Sequence, residues 1–413
     1  MAGLHELLAE RLQQGFDSVQ PGADPVLRPS SRPGVDFQAN GAMALAKRRR
    51  VAPAEVAAKV AAAAPLDGVC SSVEATPQGF VNLTLDDGFL AARVQEAAAD
   101  GRHGVDLAAE ALTVVVDYSS PNVAKEMHAG HLRTTIIGDA LCRLLAFAGH
   151  TVRRENHVGD WGRPFGMLIE HLVDVGEQEG AHELSVGDLD GFYRQAHAAF
   201  DASPELRERS RRRVVLLQSG DPETLRLWKV LVDESVVYFD EVYAKLGVGL
   251  TPDDVVGESY YNDLLPGVVA DLDAAGLLVE SDGALCVFPE GYTNREGQPL
   301  PLIVQKSDGG YGYAATDLAA LRDRFGRLGA DLVLYVVGSP QAQHFAMCVA
   351  VATAAGWIPA GGRAVHVGFG SVLGPDHKML ASRSGGAVKL VELLDEAVVR
   401  AGALAEAKDP DLD

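Results

Sequence analysis

The stretch LTVVVDYSSPNVAKEMHAGHLRTTIIGDALCRLLAFAGHTVRRENHVGDWG, residues 112–162, decides the fold class of this chain. Its opening run, LTVVVDY, is continuously apolar, which suits a strand buried on both faces of a parallel sheet. From SSPNVAKEMHAGH the chain turns into a helical stretch, GHLRTTIIGDALCRLLAFA, closed by Gly149 near a C′ position. HTVRRENHVGDWG then reads as a strand running into a glycine-containing loop. Strand, loop, helix, strand is the βαβ signature, and ligands of such sheets bind beyond the carboxyl ends of the strands.

Upstream, residues 1–105 read as a separate small α+β domain. HELLAERLQQGF, GAMALAKRRR and PAEVAAKVAAAA have helical patterns, Pro21 to Pro33 is loop chemistry, and CSSVEAT and GFVNLTL are strand-like around a Pro77–Gln78–Gly79 turn. A composition break at AADGRHGVDLAAEA opens a second domain, 106–413. Its long, charged, helix-forming segments at about 175–250 read as a helical insertion. Beyond them GALCVFP, PLIVQK, DLVLYVV and VHVGFG read as strands completing the α/β pattern, interleaved with helices YAATDLAALRDRFGRLG and Gln341 to Ala355. A last helix, KLVELLDEAVVRAGALAEA, precedes a short acidic tail. The expected fold is α/β: a Rossmann-like parallel-sheet domain with a helical insertion, preceded by the small α+β domain, without internal repeats.

The 36 Lys+Arg against 57 Asp+Glu leave a net charge of −21 over 413 residues. That acidity argues against a general nucleic-acid coat, because nonspecific binding rests on phosphate neutralisation. A tRNA partner stays open if cations cluster, and two clusters exist: Lys47–Arg50, and Arg207, Arg209, Arg211, Arg212 and Arg213. Each reads either as a phosphate-contact patch or as a solvated helix face. No apolar run approaches the ~20 residues of a membrane span, and MAGLHELLAERLQQGF lacks the basic and apolar regions of a secretory signal. Cys70, Cys142, Cys286 and Cys348 have no CxxC spacing, so neither zinc nor a disulfide framework is indicated. A cytoplasmic protein is expected.

The strongest chemical signal is PNVAKEMHAGH, residues 121–131, between the buried strand and the helix. His128 and His131 are three apart and share a face at the helix start, where free N–H groups and the dipole favour an anion. Two imidazoles there can donate to phosphate oxygens as charge builds in a transition state, and Gly130 lets a base or phosphate approach closely. Two surface histidines at a helix start are the plainer reading of the pair alone.

The whole string resembles the HIGH motif of class I aminoacyl-tRNA synthetases, in the form found in arginyl-tRNA synthetases. The resemblance continues through ENHVGDWG, KSDGGYGYAATDLAALRDR and SRSGGAVKL in order, and DFQANGAMALAK is similar to that family's amino-terminal domain, which touches the tRNA elbow. It implies ATP with Mg²⁺, L-arginine and tRNA(Arg) as reactants, with His128, Gly130 and His131 at the ATP. Tyr313 and Asp317, four apart on a helix, match the family's contacts to the arginine side chain, where a carboxylate pairs with guanidinium by charge-assisted bonds. By spacing alone they also fit a helix acid and a core tyrosine. Asn122 matches a contact to the α-amino end, with Asp117 beside it, and Gln341 matches another substrate contact. Lys125 matches the lysine by which this family compensates for a loose pyrophosphate-binding loop. That loop falls at PDHKMLASRSGG, where Lys378 survives and Ala381–Ser382–Arg383 replaces the usual lysine-threonine-arginine. Arg163–Pro164 and Gly338–Ser339–Pro340 also depart from the pattern.

The chain stops where the family continues into an anticodon-binding domain, so weak tRNA binding by a monomer is the expectation. A paralog activating arginine for a specialised pathway, and a non-catalytic copy binding tRNA or arginine, stay open alongside the ligase.

Overall fold

The computed structural model describes residues 3–177, 180, 189–371 and 389–409. The chain divides into two compact units, Met1–Ala109 and Glu110–Asp413. In the first, α1 (Leu4–Val19), α2 (Gly41–Arg49) and α3 (Pro53–Ala63) pack against an antiparallel sheet of order β1-β2-β4-β3. Its strands are β1 (Leu27–Pro29), β2 (Phe37–Ala39), β3 (Cys70–Ala75) and β4 (Val81–Leu85). The apolar stripe of α1, Leu8, Leu12 and Phe16, is fully buried there. A fourth helix, α4 (Asp87–Ala99), buries no residue, so no apolar stripe marks it in the sequence. The Asp86 carboxylate accepts from the Phe89 N–H and caps its start.

In the second unit β5 (Thr113–Asp117), β6 (Thr151–Glu155), β10 (Leu332–Tyr335) and β11 (Arg363–His366) form a wholly parallel sheet of order β11-β10-β5-β6. Helix α5 (Ala129–Phe147) crosses from β5 to β6, and α12 (Ala342–Ala354) from β10 to β11. The strand order reverses between β5 and β10, which puts the ligand crevice at their carboxyl ends. Val114 and Val116 point into one core layer and Val115 into the other, and this two-sided burial is why the run reads as continuously apolar.

The long excursion between β6 and β10 holds α6 (Pro164–Val175), α7 (Leu189–Ala202), α8 (Pro204–Gln218), α9 (Pro222–Leu246), α10 (Leu265–Ala274) and α11 (Tyr313–Gly326). The helical layer therefore begins at Pro164, a proline at the first helical position where its missing N–H costs nothing. Two expected strands change place. GALCVFP and PLIVQK supply β8 (Ala284–Val287) and β9 (Leu302–Gln305), which join β7 (Val279–Ser281) in a separate antiparallel sheet. Their burial explains it: β9 alternates, with Leu302 and Val304 buried and Ile303 exposed, whereas Val333, Leu334 and Tyr335 of β10 are all buried.

Helix α5 lies so close to the sheet that a Cβ on Gly138 would stand 2.2 Å from Cγ of the fully buried Tyr118. We expect Gly138→Ala to lower stability by about 1–3 kcal/mol, the usual cost of overpacking. Urea denaturation checks it, and an unchanged midpoint would mean that α5 can slide away.

Among the described residues no helix is long and apolar enough to cross a membrane.

Candidate active site

The loop from β5 to α5 is built under strain. Ser119, Ser120 and Ala124 have φ of 71°, 50° and 57°, a region that residues with a Cβ rarely occupy. A buried polar mesh holds it. The Ser119 N–H donates to Thr134 Oγ1 (3.0 Å), Ser119 Oγ lies 2.8 Å from Tyr243 Oη, and the Ser120 N–H donates to Asn156 Oδ1 (3.0 Å). Asn156 Nδ2 in turn donates to Tyr243 Oη, and the Ala124 N–H to Ser235 Oγ. Such strain persists only where the surroundings over-determine it, and it clusters at functional sites.

This loop delivers His128 as the N-cap of α5. Its Nδ1 accepts the Gly130 N–H, and His131 Nδ1 accepts the His128 N–H, both at 3.1 Å. The two rings sit 4.0 Å apart. Burial, before any neighbouring charge, pushes both imidazoles down, His131 to about 3, so both are neutral near pH 7. With each Nδ1 lone pair committed to a backbone N–H, the proton resides on Nε2, and both rings present an Nε2–H donor. Gly130 has a further use: a Cβ there would lie 2.8 Å from His128 Cε1, so glycine gives room to the histidine ring.

Lys125 stands with its Nζ 4.4 Å from the centre of the Tyr193 ring of α7. The adjoining segments meet the same spot. Lys389 pairs with His128 as an isolated bridge, and its ammonium reaches Glu126 Oε1 at 2.9 Å. Arg133 on α5 donates to the carbonyl oxygens of Gly370 and Ser371. Lys378, Ala381, Ser382 and Arg383 lie outside the described residues.

Beside the histidines, exposed Asn122 bridges to Gly159, where a Cβ would fall 2.3 Å from Asn122 Oδ1. The two strand-end loops, PNV and GDWG, therefore touch along their backbones. Helix α9 fixes the second: Trp228 Nε1 donates to the Asp160 carbonyl at 2.7 Å, and its ring meets Trp161 edge-on. The Asp160 carboxylate accepts from Ser259 N–H (2.8 Å) and Oγ (2.6 Å), while burial raises its pKa. Neighbouring Glu258 is pushed up to about 8, by burial first and then by the charges of Asp160 and Asp317. Two carboxylates from distant parts of the chain thus act on Glu258, and among the described residues none of the three pairs with a lysine or arginine. Like charges gathered in this way leave a place for a cation.

Asp317, on the second turn of α11, has its Oδ2 2.5 Å from His344 Nε2 on α12, and this contact raises the histidine's pKa. Its Oδ1 has no hydrogen-bond partner among the described residues. Tyr313, one turn earlier, is 78% exposed at the rim rather than in a core. Gln341 is exposed at the N-cap of α12, one turn before His344.

Asp117 is placed under the site. It and Glu155 end neighbouring strands side by side, and buried Arg324 of α11 binds both, Nη2 to Asp117 Oδ2 at 2.7 Å and Nε to Glu155 Oε2 at 2.6 Å. At 6% exposure and with Ser120 Oγ on its other oxygen, Asp117 supports the strand ends from inside. The arginine run of α8 divides between the interior and the surface. Arg209 and Arg213 both hold the buried Glu170, Arg209 also pairs with Asp174, and Arg211 and Arg212 with Glu208. Lys47–Arg50 stay exposed at the carboxyl end of α2, where cations complement the helix dipole.

Sequence reasoning missed Glu258, Asp160 and His344. Asp160 carried a signal in the GDWG loop, while Glu258 in VGESYYN and His344 in PQAQHF have no local pattern that sets them apart. A groove of about 390 Å³ between Tyr292, Phe345, Ala346 and His366 holds none of the expected site residues.

A parallel sheet with histidines capping the helix after its first strand is the arrangement of a class I aminoacyl-tRNA synthetase. The model of class I synthetase (R) catalytic domains matches residues 93–412, and the arginyl-tRNA synthetase N-terminal domain matches 3–85. The arginine–tRNA ligase of Thermobifida fusca is 51% identical over 417 residues, covering all of this chain and 72% of that protein. Among solved structures, arginyl-tRNA synthetase from Plasmodium falciparum aligns at a TM-score of 0.80 and 27% identity, over 99% of this chain and 70% of that one. The Thermus thermophilus enzyme, at 22% identity and a TM-score of 0.71, shares the fold over the whole chain and 72% of its own. The chain belongs to the arginyl-tRNA synthetase family.

Proposed function

We propose that this chain activates L-arginine with ATP and transfers it to tRNA(Arg), as an arginine–tRNA ligase. The observation that carries the reading is that Asp160 and Asp317 both act on Glu258, with no lysine or arginine paired to any of the three among the described residues, in the unit that also holds the two Nε2–H donors. A guanidinium supplies the missing charge, and a planar fork suits carboxylate partners. An apolar competitor would leave these carboxylates without a partner, which makes the pocket selective.

In the first step an arginine carboxylate oxygen bonds to the α-phosphorus of ATP, the bond from that phosphorus to the β-phosphate oxygen breaks, and pyrophosphate leaves. His128 and His131 donate to phosphate oxygens as charge grows on them, and Lys125 adds positive charge from its seat on Tyr193. Asn122 and Gln341 are the groups that meet the amino-acid backbone, and Tyr313 closes the rim. In the second step a terminal ribose hydroxyl of the tRNA takes the arginyl group and AMP departs. The one grouping of three candidate ligands among the described residues, Asp317, His344 and Cys348, includes a thiol and an imidazole. It is not the oxygen set of Mg²⁺, so Mg²⁺ enters on the ATP phosphates. The four free cysteines suit a reducing cytoplasm.

Arginine-dependent ATP–pyrophosphate exchange, run with and without tRNA(Arg), tests the reading. Citrulline, neutral but of similar shape, should support none. Equal exchange with citrulline would remove the charge argument.

Glu258 adds a pH prediction. With its pKa near 8 it carries a proton at pH 7, and because the folded state then binds the extra proton, its contribution to stability falls as pH rises from about 4.5 through 8. A bound guanidinium favours the ionised form, so arginine binding at pH 7 should release about one proton. Calorimetry in buffers of different ionisation enthalpy measures this. Binding with no proton release would place Glu258 outside the pocket.

A further inference from the structure

Asp317, His344 and Cys348 bring a carboxylate oxygen, an imidazole nitrogen and a sulfur within 4.8 Å of one another. Two contacts address the same atom: His344 Nε2 lies 2.5 Å from Asp317 Oδ2 and 3.7 Å from Cys348 Sγ. His344 and Cys348 are four apart on α12, hence on one face, and Asp317 reaches them from α11. We propose that these three side chains form a binding site for a thiophilic divalent cation of the zinc type, and that its occupation shuts arginine out of the pocket. The second half rests on the reading of Asp317 as the arginine carboxylate; the first half does not.

The donor set selects the ion. Thiolate with imidazole suits Zn²⁺ and its close substitutes, whereas Mg²⁺ and Ca²⁺ take oxygen. Three protein ligands with a fourth position open is the form of an accessible zinc site. Tetrahedral bonds of ordinary length put sulfur and nitrogen about 3.6 Å apart, close to the distance present, and nitrogen and oxygen about 3.4 Å apart. The imidazole and carboxylate therefore separate by roughly 1 Å as the ion replaces the hydrogen between them. The chemistry balances without a further reactant: the thiol proton and the proton shared by His344 and Asp317 pass to solvent.

Access matches this role. The Asp317 and His344 side chains keep 16% and 33% of their surface open, while Cys348 is fully buried behind them. An ion entering from outside meets His344 and Asp317 before the buried Cys348, and Asp317 is the same carboxylate that a guanidinium needs. Cation and arginine then exclude each other, which makes the pocket sensitive to free zinc.

The test uses the full chain with Co²⁺ as the spectroscopic probe, leaving out ATP because its phosphates chelate the ion. A near-ultraviolet sulfur-to-cobalt band is expected at one equivalent, absent in Cys348→Ala and displaced by excess Zn²⁺ or arginine. By calorimetry, Zn²⁺ at about ten times its own Kd should weaken apparent arginine binding by about ten-fold in the unaltered chain, as mutually exclusive binding requires. It should leave arginine binding to Cys348→Ala unchanged. Cys348→Ser provides the same comparison should the alanine variant fail to fold, with ATP–pyrophosphate exchange in Mg²⁺ and without added Zn²⁺ or Co²⁺ as the control for integrity. No band in the unaltered chain, or equal Zn²⁺ sensitivity in both variants, overturns the site. A band that arginine does not displace overturns the exclusion and the placement of arginine at Asp317, and leaves the metal site standing.

Discussion

Asp317→Asn is expected to lower the affinity for arginine by roughly a hundred-fold or more, while ATP binding changes little. The substitution keeps the shape of the side chain and removes its charge. Breaking one partner of a buried charged pair costs about 3–5 kcal/mol, because the remaining guanidinium is left desolvated without its counter-ion. Among the described residues Asp317 contacts its partner through one oxygen only, His344 at 2.5 Å, and the other oxygen is free for the ligand. In the variant His344 also loses the contact that raises its pKa, so its pKa falls toward the ordinary value. Arginine titration followed by calorimetry gives the affinity, and a nucleotide titration gives the control. An unchanged arginine affinity would sink the assignment of the pocket, and an equal loss of ATP binding would mark the change as a general collapse of the crevice.

The second large effect falls on rate. His128→Asn and His131→Asn should each slow arginyl-adenylate formation by roughly 10²–10³, the loss typical of one positioned donor to a transition-state oxyanion. Asparagine is itself a good N-cap, so the first variant keeps the start of α5 in place while removing the Nε2–H. Arginine affinity should stay near its original value, and pre-steady-state measurement separates the two quantities. Because burial lowers both imidazoles, with His131 titrating only at about 3, the activation rate should show no step from the His131 ring between pH 5 and 8. A rate that falls as pH rises through 6–7 would mean that an imidazolium acts instead. The same depressed pKa makes the unfolded chain the better proton acceptor below about 6.5, so stability attributable to His131 declines as pH drops from there toward 3.

What could be read directly from the residues has a common character: it is local. The alternation of Val114, Val115 and Val116 between two core layers is written in one uninterrupted apolar run. Helix α5 announces itself by its period and by Gly149 just past its end, with φ of 96°. The histidines of PNVAKEMHAGH sit within one helical turn, so their spacing already implied one face and an anion-binding helix start. Elements without such marks went unread. Helix α4 buries nothing, and β1 and β2 are three residues each, too short for alternation to register.

The electrostatic identity of the pocket was decided elsewhere, by distances across the fold. Asp160, Glu258 and Asp317 are separated by about a hundred and by about sixty residues of chain, and burial in the folded unit, with the added charges of Asp160 and Asp317, gives Glu258 its raised pKa. Asp117 looked like a substrate contact because it ends a strand beside the motif. Whether it faces ligand or interior depended on Arg324, more than two hundred residues away, which binds it together with Glu155. The arginines of α8 read either as a solvated helix face or as a patch for phosphate until Glu170 and Asp174 on α6 were brought against Arg209 and Arg213. The sequence by itself thus determined the backbone periodicities, the contiguous motif and the family. The tertiary structure decided which charges are paired, because Coulomb attraction and desolvation depend on separation in space and on burial, neither of which a linear pattern records.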